Sequence, residues 1–85
     1  MSQVLYYYSA PWCEPCRTLG PTMDEVAKQI PVIKQNIDHV DPAMLTEAKV
    51  RSVPTVVFVE NGQELRRFVG VKSYNQIIDW LNYGN

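Results

Sequence analysis

The stretch "SAPWCEPCRTLGP", Ser9 to Pro21, marks a change of period in the chain. Before it, Val4 to Tyr8 are β-branched, aliphatic and aromatic without a charge, which predicts a strand buried on both faces. After Trp12 the apolar residues Leu19, Met23, Val26, Ala27 and Ile30 recur at helical spacing, with Asp24, Glu25 and Lys28 between them. A helix is expected from about Glu14 to Gln29. Pro15 suits its first turn, where a missing N–H costs nothing, and Pro21 inside it should bend it. The chain's two cysteines, Cys13 and Cys16, therefore fall at the start of this helix.

Outward from this junction the elements alternate. Pro31 ends the helix, and Val32 to Ile37 reads as a second strand. Asp41 followed by Pro42 is a helix start, an N-cap and then a residue with a preset dihedral, leading into a short helix through Lys49. "TVVFVENGQELRRFV" holds two β-rich runs around Asn61-Gly62, the pair best suited to a tight hairpin turn. Ser73 and Gln76 form a capping box, and Tyr74, Ile77, Ile78 and Leu81 continue as the apolar stripe of a last helix. Trp80 falls off that stripe and is expected to be partly exposed. Arg66, Arg67 and Lys72 are expected to be a solvated edge, and His39 an ordinary surface residue. Tyr6, Tyr7 and Tyr8 are expected to be core. The resulting order, βαβαββα, implies an α/β fold with a mixed sheet and helices on its faces.

At 85 residues, 46% of them hydrophobic, the chain has the size of a single domain, residues 1–85, with no internal repeat. A net charge of −1 from eight basic and nine acidic residues, scattered along the chain, leaves no stripe for a phosphate backbone, so no nucleic-acid partner is expected. "MSQVLYYYSAPW" carries no charged leader before an apolar core, and no apolar run approaches the roughly 18 residues of a membrane span. A soluble, cytoplasmic chain without a membrane partner is the expectation.

Two cysteines cannot build a disulfide framework, and closing a four-residue loop would stabilise by only about 2 kcal/mol. A tetrahedral zinc site wants four ligands, and His39 alone adds an imidazole, so no metal is expected. A reactive dithiol remains. At the helix N-terminus, unpaired N–H groups and the helix dipole favour a thiolate on Cys13, the nucleophilic form. Cys16, one turn on, is close enough to close a disulfide with it. An exposed Cys13 would attack a substrate disulfide and Cys16 would resolve the mixed disulfide.

"WCEPC", the proline at Pro21, "KQNID" from Lys34 and "SVPT" around Pro54, with Gly70 after them, resemble the thioredoxin family in order over nearly the whole chain. That resemblance implies a thioredoxin fold with a four-stranded sheet and three helices, lacking the family's N-terminal strand and helix, as in glutaredoxins and small phage or archaeal forms. It implies reduction of protein disulfides, a redox-active Cys13–Cys16 disulfide, no bound cofactor, and electrons from NADPH through thioredoxin reductase or from glutathione. It also implies that Pro54 is cis and that Trp12, Val53, Pro54 and Gly70 form the substrate surface. A monomer is expected. A redox-independent role as subunit or adaptor of a larger enzyme stays open, as does, more weakly, a glutathione-dependent iron–sulfur dimer.

Two positions depart from the family pattern around the dithiol. Tyr7 stands where a buried aspartate is usual; it can donate a hydrogen bond to a thiolate but is a poor base at neutral pH, so slower resolution by Cys16 is expected unless Lys34, Glu14 or water carries the proton. Glu14 stands where glycine is usual. A carboxylate about 7 Å from the Cys13 sulfur would repel its thiolate by roughly 0.6 to 2 kcal/mol, depending on the dielectric, which favours a reductant over a disulfide donor.

Overall fold

The structure, a computed structural model, describes residues 2–84. Its elements are β1 (Gln3–Ser9), α1 (Glu14–Val26), β2 (Val32–Asn36), α2 (Pro42–Glu47), β3 (Thr55–Glu60), β4 (Gln63–Val69) and α3 (Tyr74–Tyr83), in the expected order. They build one four-stranded sheet, β2-β1-β3-β4. β1 runs parallel to β2, the pair joined through α1, and antiparallel to β3; β3 and β4 form the hairpin. The turn residues Asn61 and Gly62 have φ of 52° and 82°, the left-handed pair that matches strand twist. A register shift between Phe58 and Val59 leaves Leu65 without a partner in β4 and exposed.

α1 and α3 pack side by side on one face of the sheet. Their apolar stripes meet Leu5 and Tyr7 of β1, Val56 and Phe58 of β3 and Phe68 of β4 in one continuous core with Leu19, Met23, Val26, Ile30, Ile77 and Trp80. The expectation that β1 is buried on both faces is corrected. Leu5 and Tyr7 are buried, but Tyr6 and Tyr8 point the other way and are only half-buried. That second face carries the six-residue α2, too short to cover it, and leaves a groove between Tyr6, Tyr8, Met44 and Glu47.

Local signals set the helix ends. Cys13, Asp41 and Ser73 are the N-caps, each accepting a backbone N–H through its side chain, and Ser73 with Gln76 completes the capping box. α1 stops at Val26, short of Gln29, because Lys28 and Gln29 bond three residues back, to Glu25 and Val26, in a tightened last turn ahead of Pro31. α2 stops at Glu47, where Lys49 turns to a φ of 59°.

Trp80 and the two arginines differ from expectation. Trp80 is 3% exposed, edge-on to Phe68 at 4.9 Å and tilted against Phe58 at 6.1 Å. α3 is rotated so that Ile77 and Trp80, three residues apart, face the sheet, while Tyr74 lies at the margin. Arg66 donates to the carbonyls of Trp80 and Leu81 at the end of α3. Arg67 donates to those of Ala48 and Lys49 at the end of α2 and pairs through two nitrogens with Glu64. Each guanidinium thus supplies side-chain donors to carbonyls at a helix end; that of Trp80 also accepts from the Gly84 N–H at 2.9 Å. Lys72 lies over the Phe68 ring at 5.5 Å. Among the described residues, no helix is long and apolar enough to cross a membrane.

Candidate active site

β1 ends at Ser9, and the chain turns through Ala10 to Cys13, whose N–H donates to the Ala10 carbonyl at 3.2 Å. Cys13 is extended, with φ −92° and ψ 112°, so its side chain folds back over the first turn of α1 as an N-cap. There the Cys16 N–H donates to the Cys13 sulfur at 3.3 Å. Pro15 sits in this first turn and removes one donor that would otherwise be unpaired. The Cys13 and Cys16 Cα atoms are 5.3 Å apart and the sulfurs are joined as a disulfide.

Ala10, Cys13 and Cys16 form a second, small apolar cluster against which Ile37 and Val53 pack. An exposed Cys13 was expected, and this is corrected: both cysteines are 5% exposed. The capping geometry that offers the sulfur a donor also tucks it beneath the neighbouring apolar side chains.

The Val53–Pro54 peptide bond is cis. Pro54 is buried, and its carbonyl accepts from Gly70 N–H at 3.0 Å, so the loop before β3 is tied to the end of β4. Gly70 has a φ of 96°, which only glycine adopts readily. Trp12 is 65% exposed, and its indole Nε1 donates to Asp38 Oδ1 at 3.2 Å. Ile37, Leu45, Val50, Arg51, Ser52 and Val53 complete, with Trp12, a groove of about 330 Å³.

Tyr7 lies beneath the dithiol. Its hydroxyl donates to the Cys16 backbone carbonyl at 3.0 Å, and not to a sulfur. Burial pushes this phenol above its ordinary value, partly countered by a hydrogen bond with Ser9 and the charge of Lys34, while Asp24 pushes it further up. Lys34 is the register partner of Tyr7 and lines a second cleft with Cys16 and Arg17, but its ammonium is held by Asp24. The Glu14 side chain, next in the chain to Cys13, is 85% exposed and 3.7 Å from Arg17. Solvent and that cation offset the repulsion expected from it.

Cys13, Cys16, Val53, Pro54 and Trp12 therefore converge, Gly70 joins them through Pro54, and Tyr7 and Lys34 lie below. Sequence reasoning missed the groove wall. Ile37, Leu45, Val50 and Arg51 come from the end of β2, from α2 and from the loop after it, and no motif links them. Among the described residues, no three His, Cys, Asp or Glu side chains could hold a metal ion together.

A C-x-x-C pair capping a helix, opposite a cis-proline loop at the end of a mixed sheet, defines a dithiol oxidoreductase. The thioredoxin family model matches residues 1–83. Thioredoxins of Rickettsia felis and of spinach chloroplasts (the M-type protein) are each 36% identical, over 93% and 89% of this chain and 78% and 44% of their own lengths. A solved thioredoxin mutant from Halobacterium salinarum superposes with a TM-score of 0.87 at 30% identity, covering 95% of this chain and 73% of that one. A malarial protein of known structure shares the fold at the same TM-score and 24% identity, over 96% of both chains. The chain belongs to the thioredoxin family, and it is a thiol–disulfide oxidoreductase that reduces protein disulfides.

Proposed function

We propose that Cys13 is the attacking thiol and Cys16 the resolving one. The observation that carries this is the Cys16 N–H aimed at the Cys13 sulfur at the N-terminus of α1, which favours negative charge on Cys13 and offers Cys16 nothing comparable. The Cys13 thiolate attacks one sulfur of the substrate disulfide, forming a mixed disulfide and expelling a substrate thiolate. Cys16 then attacks the Cys13 sulfur, expelling the second substrate thiolate and closing the Cys13–Cys16 disulfide. Two electrons pass to the substrate, and the two protons of the dithiol end on its thiols.

Trp12, Val53, Pro54 and Gly70 receive the substrate as an extended segment that pairs with the Val53 backbone. Pro15 and Tyr7 hold the first turn of α1, Tyr7 through the Cys16 carbonyl. Lys34 and Glu14, each engaged by a neighbour of opposite charge, tune the electrostatics weakly. The protein acts as a single-domain cytoplasmic monomer without a bound cofactor, and is recycled by NADPH through thioredoxin reductase or by glutathione; assays with each system separate the two.

Trapping tests the assignment. Cys16→Ser should accumulate a stable mixed disulfide with a protein substrate, resolvable by electrophoresis without reductant, and Cys13→Ser should not. The opposite pattern would reverse the roles.

A further inference from the structure

Three cations line the two clefts that flank the disulfide: Arg17 and Lys34 on one side, Arg51 on the other. Arg17 pairs with Glu14 and Lys34 with Asp24. Arg51 is exposed and, among the described residues, has no hydrogen bond or ion pair. It stands in the wall of a mostly apolar groove formed with Trp12, Ile37, Leu45, Val50, Ser52 and Val53. Among the described residues, the one carboxylate hydrogen-bonded to a wall side chain is that of Asp38, which accepts from the Trp12 indole, so the groove has an anionic end at Trp12 and a free cationic site at Arg51.

A substrate segment in contact with Val53 must pass this groove. Its apolar wall accepts one aliphatic or aromatic side chain, and burying such a side chain is favourable whatever its neighbours. Charge decides which neighbours are tolerated. An unspent guanidinium offers a planar, bidentate partner for a carboxylate, and a lysine there would meet like charge. Because Arg51 is exposed, the effect falls mainly on association, where complementary charge raises the rate and salt removes the gain.

We propose that Arg51 is a specificity-determining residue that selects protein disulfides carrying an acidic side chain close to the reacting cysteine, beside an apolar residue that fills the groove. This rests on the substrate surface proposed around Val53. It adds a recognition step to the dithiol chemistry and orients the segment, with its acidic end toward Arg51 and away from Asp38.

The test uses the reduced full chain and two disulfide-linked peptides, identical except for Glu or Lys two residues from the cysteine, each with a leucine between. The expected result is a kcat/KM about 3- to 10-fold higher for the Glu peptide at low ionic strength, shrinking toward unity at high salt. Arg51→Glu should reverse the ratio and Arg51→Gln should bring it near unity. Equal rates on the two peptides, or a preference that Arg51→Glu leaves intact, would overturn the assignment. A small neutral disulfide separates this from the chemistry: if the wild type reduces it normally while the peptides are not distinguished, the Arg51 selection alone is wrong. If the wild type does not reduce it at all, the dithiol assignment falls, and this one with it.

Discussion

α1 serves two clusters of different size and purpose. Its later turns place Leu19, Met23 and Val26 in the large core between α1, α3 and the sheet, while its first turn places Cys13 and Cys16 in the small cluster with Ala10, Ile37 and Val53. The large cluster holds ring-to-ring contacts and fully buried aliphatic residues; the small one holds a reactive bond and little else. One residue spans both, since the Tyr7 ring lies in the core and its hydroxyl anchors the Cys16 carbonyl. Stability and reactivity are therefore carried by largely separate residues on one rigid element. Substitutions should separate them.

Cys13→Ser should have the largest effect: protein-disulfide reduction falls at least about a thousandfold, equivalent to roughly 4 kcal/mol in the barrier. Unfolding in urea under reducing conditions should be nearly unchanged. Retained biological function in that variant would favour the adaptor role. Trp80→Ala should do the reverse, costing about 3–5 kcal/mol of stability by leaving a cavity against Phe58 and Phe68, with the reduction rate per folded molecule preserved. If that rate falls as well, the two clusters are coupled more closely than their contacts imply.

Tyr7→Phe tests the shared residue. It removes the phenolic donor to the buried Cys16 carbonyl, which keeps its main-chain partner within α1, so a loss of about 0.5–1.5 kcal/mol is expected by chemical denaturation, together with a slower resolving step in single-turnover mixed-disulfide decay. A loss of stability with unchanged decay would confine Tyr7 to the core.

The smallest effect lies far from both clusters. The Arg67 hydrogen bond and charge hold the Glu64 carboxyl below its ordinary value, against a smaller opposing push from burial. A depressed folded value means the stabilisation is present above the unfolded value of about 4.3 and is lost as pH falls through the lower folded one. Both side chains are partly solvated, so the loss should stay under about 1 kcal/mol, and Glu64→Gln should remove that part of the acid sensitivity in a thermal melt.

Features encoded by neighbouring residues were legible in the sequence. The Asn61-Gly62 hairpin, the caps at Asp41 and Ser73 and the C-x-x-C pair at a helix start each depend on groups within four residues of one another. Their geometry follows from backbone dihedrals and short hydrogen-bonded rings. The cis form of Val53–Pro54 agreed with the family resemblance, not with any local signal.

The rest depended on partners far along the chain. Arg66 and Arg67 look solvated in sequence because the carbonyls they satisfy belong to α3 and α2, 14 to 19 residues away. Trp80 looks marginal because a ten-residue helix has two defensible apolar faces, and only the aromatic surface of the hairpin chooses between them. Cys13 looks exposed because its cover, Ile37 and Val53, arrives from two other segments. By itself the sequence determined the elements, their order and the reactive pair, since these follow from local periodicity, capping and turn chemistry. Tertiary structure alone decided what shields that pair, what lines the groove beside it and which charges remain free, because those are contacts between segments that only the sheet topology brings together.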